Sequence, residues 1–191
     1  MLVAFGIKTV LQKRATGDSG FRGATGRPGS LEWIAGRLFV VALLAGLLAP
    51  VLALADLVGP VAALDAAIAH SVGVACFLIG FALAVVSQVQ MGVSWRIGVE
   101  EGEVTDLVDG GLFGVVRNPF FSATLLVTVG LVLMVPSVVA FAALMALLAA
   151  VELQVRLVEE PYLLRTIGAT YSDYAGRVGR FVPGVGRLRT R

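Results

Sequence analysis

Residues 118–151 read NPFFSATLLVTVGLVLMVPSVVAFAALMALLAAV, 34 residues without one charged side chain and with a Pro-Ser interruption at Pro136-Ser137. An α-helix rises about 1.5 Å per residue, so about 20 apolar residues cross the ~30 Å hydrocarbon core of a bilayer. The run is too long for one straight crossing and barely long enough for two. A tight helical hairpin reconciles the lengths, with arms over 120–134 and 138–160 and Pro136 at the tip. Proline interrupts a helix and is accepted in the first turn of the next one. The first arm, at about 23 Å, is short for a crossing, so the second must protrude from the membrane with Glu152, Arg156, Glu159 and Glu160.

Upstream, the apolar run between Arg37 and Asp56 predicts a span over 35–57 that includes Pro50, and the run between Asp65 and Arg96 predicts a second over 67–91. Of 191 residues, 58% are hydrophobic and 15% charged, against about 25% charged in an average soluble domain. With a mean hydropathy of +0.91, this excludes disordered, fibrous and ordinary soluble chains. The expected fold is an all-α integral membrane protein of about four transmembrane helices. It divides into an N-terminal arm (1–33), two membrane helices (34–93) and a region from 94 to 191 that holds the hairpin and a polar tail. Cys76 and His70 are each the sole residue of their type, which excludes a disulfide framework and a zinc site built from Cys and His. Gly110, Gly111 and Gly114 lack the strand–turn–helix context of a dinucleotide fingerprint.

The fifteen Lys and Arg residues fall in three places: up to Arg37, at Arg96 and Arg117, and from Arg156 onward. The 57–66 connection and the 135–137 tip hold none. Basic residues in short flanking segments mark the cytoplasmic side, so both termini and the central loop are expected there, in a multi-pass protein of the cell membrane. The net charge of +2 then expresses orientation, and no nucleic-acid partner is expected.

Polar chemistry is confined to the central loop and the tail. Glu159-Glu160 precedes Pro161, which cannot supply the N–H that the Leu157 carbonyl needs in a helix. The pair reads either as a solvated helix end, with Glu152 and Arg156 at i,i+4 spacing, or as an acceptor-rich pocket for a cationic ligand. Arg117 reads as a membrane anchor or as a ligand contact, with Asn118-Pro119 fixing the entry to the hairpin. Tyr171, Tyr174 and Arg177 recur every third residue, which suggests one helix face, either an interfacial belt or a ligand surface.

Together these pieces resemble the isoprenylcysteine carboxyl methyltransferase family, which includes phospholipid methyltransferase-like membrane enzymes. The resemblance runs from Ser94-Trp95-Arg96 through Gly111-Leu112-Phe113, Arg117-Asn118-Pro119 and Glu159-Glu160. It closes with Gly168-x-x-Tyr171-x-x-Tyr174 and Arg180-Phe181-Val182-Pro183. It implies S-adenosylmethionine as cofactor, bound in a cytoplasm-facing pocket, and an amphiphilic, lipid-like or isoprenoid-like acceptor that enters from the bilayer. Carried over residue by residue, it assigns Asn118, Pro119, Glu159, Glu160, Tyr171 and Tyr174 to cofactor binding, and Arg117 and Glu160 to catalysis, with no metal; the geometry of the short and protruding arms, rather than the resemblance, puts Arg177 or Arg180 near the polar group to be methylated and adds Arg177 as a catalytic candidate. Where the family often has Arg-His-Pro-x-Tyr, this chain has Arg117-Asn118-Pro119-Phe120-Phe121 and lacks the imidazole and the phenol. A non-catalytic membrane adaptor and a membrane reductase of related C-terminal architecture are the other function classes.

Overall fold

The computed structural model describes residues 27–91 and 107–188. The stretches Ser94-Trp95-Arg96 and Glu100 to Glu103, with most of the N-terminal arm, lie outside the described residues. Four apolar helices form a bundle: α1 (Leu31–Leu54), α2 (Ala67–Met91), α3 (Pro119–Met134) and α4 (Val138–Leu153). Backbone groups in hydrocarbon must be satisfied internally, which only a helix achieves within one segment. α4 continues through a π-helical turn, Gln154–Glu159, into α5 (Glu160–Thr166). α1, α2 and the continuous Val138–Thr166 helix are each long and apolar enough to cross a membrane, whereas α3 is a shorter apolar helix. The expected pairing of a short arm with a longer one is present, and its residue boundaries agree closely with the sequence reading.

Local chemistry explains the ends. Ser30 and Ser137 cap α1 and α4, accepting from the backbone N–H of Trp33 and Ala140 at 3.2 and 3.3 Å. Pro119 occupies the first turn of α3, where a missing N–H costs nothing. The Thr124 and Thr128 hydroxyls donate to the carbonyls one turn back, at 2.8 and 2.9 Å. Both polar groups are thereby satisfied inside the bundle.

The helices associate as two pairs, α1 with α4 and α2 with α3, joined where α3 meets α4. Glycine brings α2 and α3 together. A Cβ added at Gly80 would lie 2.8 Å from the Val127 nitrogen, and one at Gly130 2.6 Å from the Phe77 nitrogen. Small residues at such crossings let helices in lipid gain dispersion contact that the hydrophobic effect does not provide there. Between the pairs, Phe39, Ala42, Leu43, Gly46 and Leu47 of α1 face Phe120, Thr124, Val127, Thr128 and Leu131 of α3 across an apolar cleft. At one end the core closes with Phe39 edge-on to Phe121, ring centres 6.0 Å apart.

The opposite, far end ties its two connections together through the Val61 N–H, which donates to the Pro136 carbonyl. At the near end, α6 (Ala169–Arg177) folds back and leads into a tail of tight turns over 180–186. The turn into α6 needs Gly168, whose φ of 63° and ψ of −124° suit glycine alone. An added Cβ there meets nothing within 4 Å, so Gly168→Ala isolates backbone strain. It is expected to cost about 1–3 kcal/mol, read as a lower thermal midpoint in detergent.

Candidate functional site

The tail docks on the start of α3. Gly179 pairs with Val116 in an isolated parallel bridge, and the Arg117 and Asn118 N–H groups donate to the Gly179 and Arg180 carbonyls at 2.8 and 3.1 Å. The Asn118 side-chain amide also donates to the Arg180 carbonyl at 3.2 Å, and the Ser122 hydroxyl to that of Phe181 at 2.7 Å.

Glu160 secures this docking. Its carboxylate accepts from Arg117 Nη2 at 2.6 Å, Arg180 Nε at 2.7 Å and Arg180 Nη2 at 2.8 Å. Arg117 and Glu160 are each only 5% exposed. Arg117 also donates to the carbonyls of Ala175, Val178 and Gly186, so one guanidinium gathers α6 and the tail. The hydrogen bonds to Glu160 hold Arg180 above the usual arginine range, against the effect of burial. Glu152 pairs with Arg156 at i,i+4 as expected, but Glu160 turns to Arg117 and Arg180.

Beside this triad, a cleft with about 620 Å³ of open space, mouth included, is lined by Arg117, Asn118, Glu159, Tyr171 and Tyr174. Its apolar walls include Met91, Leu107, Phe113, Leu163 and Ile167. Five residues singled out in the sequence therefore meet in one cavity. The Tyr171 and Tyr174 rings pack with centres 6.1 Å apart. Burial pushes Tyr174 up to about 12, with Arg117 opposing and Asp109 adding to the rise. Burial likewise raises Tyr171, reinforced by the charge of Glu160. Both phenols therefore stay neutral at physiological pH, and that of Tyr174 donates to the Phe113 carbonyl at 2.7 Å.

Three selected residues stand elsewhere. Pro119 is buried in the first turn of α3, and Glu160 lies in the triad. Arg177 is exposed, which corrects the reading of one Tyr171–Tyr174–Arg177 face. Steps of three residues on a 3.6-residue helix drift by about 60° each, so the second step carries Arg177 off the buried face. Ala175 and Val178 pack with the tyrosines instead.

Two features escaped the sequence reading. The sequence reading puts Arg180 in a terminal motif and, with Arg177, near the acceptor's polar group, but does not pair it with Glu160, which it holds from the tail. Gln154, 4% exposed, belongs to the π turn, and its amide donates to Glu159 at 3.2 Å. A polar residue inside an apolar span was the available signal for it.

The family model for phospholipid methyltransferase matches residues 68–170, more than half of the chain. The chain belongs to the phospholipid methyltransferase family. The match runs from the start of α2 to the beginning of α6 and takes in Arg117, Asn118 and both glutamates. No curated protein matches, and no solved structure does. Membership in the phospholipid methyltransferase family makes the chain a membrane methyltransferase. Among the described residues no group of three or more His, Cys, Asp or Glu side chains could hold a metal ion.

Proposed function

We propose that the chain transfers a methyl group from S-adenosylmethionine to a lipid-like amphiphile at the cytoplasmic membrane face. The observation that carries this reading is the meeting of Arg117, Asn118, Glu159, Tyr171 and Tyr174 in one cleft at the basic end of the bundle. The lining suits the donor. The Glu159 carboxylate fits its ammonium, the Asn118 amide can donate and accept, and the aromatic and apolar walls fit adenine.

S-adenosylmethionine supplies a methyl group already activated on a sulfonium. No nucleophile dyad is then required of the protein, which holds the two reactants in line and keeps water out. The apolar walls serve the second task. The triad serves the first by fixing the elements that carry Asn118 and the tyrosines.

The acceptor's apolar tail is assigned to the cleft between α1 and α3, which is apolar and lies in the membrane part of the bundle. Orientation follows from charge. The described Lys and Arg residues lie at the basic end, whereas residues 55–66 and 135–137 hold none, which supports a cytoplasmic site and cytoplasmic termini.

The deciding experiment incubates purified protein with methyl-labelled S-adenosylmethionine and total lipid extract, followed by mass analysis of labelled products. A labelled lipid is expected. Label confined to water-soluble products would reject a membrane acceptor, and equal turnover of a short-chain soluble analogue would reject the tail cleft.

A further inference from the structure

We infer that Gln154 is a positioning residue that fixes the Glu159 carboxylate for the donor's ammonium; this assignment rests on the donor reading of the cleft. Gln154 opens the π turn and Glu159 closes it. On an α-helix, residues five apart point about 140° away from each other, and no side-chain hydrogen bond between them is expected. The i→i+5 closure of a π turn brings the two positions onto one side. There Gln154 Nε2 donates to Glu159 Oε1 at 3.2 Å. The π turn thus gives a carboxylate that lines the cleft a partner from its own helix.

The orientation of the amide follows from chemistry. A carboxylate only accepts, so Gln154 must turn its NH2 toward Glu159. Its amide oxygen is then left over, and that atom is buried with no hydrogen-bond partner among the described residues. Gln154 sits between apolar neighbours, Val151 and Val155, each 1% exposed. An unmatched acceptor costs free energy in such surroundings. That cost is met where the other end of the same amide holds a carboxylate that lines the cleft, and an apolar residue at 154 would remove the hold on Glu159.

The test compares two ligands by calorimetry on folded protein. S-adenosylhomocysteine carries the ammonium, and methylthioadenosine keeps the nucleoside and lacks the amino-acid part. Gln154→Met is expected to weaken S-adenosylhomocysteine about tenfold, the scale of one hydrogen bond to a charged group, while methylthioadenosine binds as before. Gln154→Leu, also apolar and of similar volume, is expected to give the same pattern and serves if the methionine variant folds poorly. Glu159→Gln should reproduce the selectivity, and the double variant Gln154→Met, Glu159→Gln should lose little more than either single one. Equal losses for both ligands would reduce Gln154 to a structural role and overturn the inference, as would no loss or fully additive losses. If the wild-type chain bound neither ligand, the donor reading itself would fall, and this assignment with it.

Discussion

Glu160→Ala is expected to release the carboxyl-terminal tail from the bundle while the four apolar helices stay assembled in the membrane. Among the described residues the carboxylate is the one acidic group that pairs with both Arg117 and Arg180, whose side chains are 1% and 11% exposed. Breaking a buried pair from one side leaves an uncompensated charge and costs roughly 3–5 kcal/mol. Here two guanidiniums would be left facing each other. The bonds that remain, from the Arg117 and Asn118 backbone and from the Arg117, Asn118 and Ser122 side chains to carbonyls of α6 and the tail, lie at the end of the bundle and are opposed by that repulsion. Tryptic cleavage after Arg180 should rise sharply, and donor affinity should fall with it because Tyr171 and Tyr174 lose their support. An intact tail in Glu160→Ala would show that the remaining bonds suffice. Glu160→Gln, which keeps shape and one acceptor oxygen, should be milder.

Gly130→Leu is expected to separate α2 from α3 and prevent a stable fold. The Cβ alone would sit 2.6 Å from the Phe77 nitrogen and 2.7 Å from the Gly73 oxygen. Both are backbone atoms, which cannot rotate away as a side chain can. Even Gly130→Ala must push the helices apart, at about 1–3 kcal/mol for overpacking, and leucine adds three more heavy atoms in the same direction. Gly46→Ala is the matched control, because its nearest neighbours are side-chain carbons at 3.9 and 4.0 Å. The measurement is the fraction of monodisperse protein after heating in detergent. Equal survival of Gly130→Leu and the wild type would show that the close crossing is dispensable.

The membrane helices were legible because lipid imposes a simple rule. An apolar run of given length crosses or it does not, and Pro136 can stand only at the hairpin tip. The meeting of Arg117, Asn118, Glu159, Tyr171 and Tyr174 was legible as composition, with polar groups concentrated in two segments at one end. What each carboxylate does was not. Glu159 and Glu160 are neighbours in sequence, yet one lines the cleft and the other is buried against two arginines. That division depends on the π turn, which shifts the helix face by the difference between i+4 and i+5 bonding and leaves little trace in hydrophobic periodicity. The shared face of Tyr171, Tyr174 and Arg177 failed for a related reason: a three-residue repeat holds a face only briefly on a helix of 3.6 residues per turn.

The docked tail also sets an order of assembly. Chains emerge from the ribosome amino end first and fold as they come, so Arg117 enters the membrane boundary long before Glu160 exists, and Glu160 before Arg180. The cleft lined by Asn118 and the two tyrosines can close only when the last of these has been made and threaded back along α3. A chain interrupted before Arg180 therefore carries the apolar bundle without its docked tail, and Glu160 gains its second arginine only once Arg180 has been made.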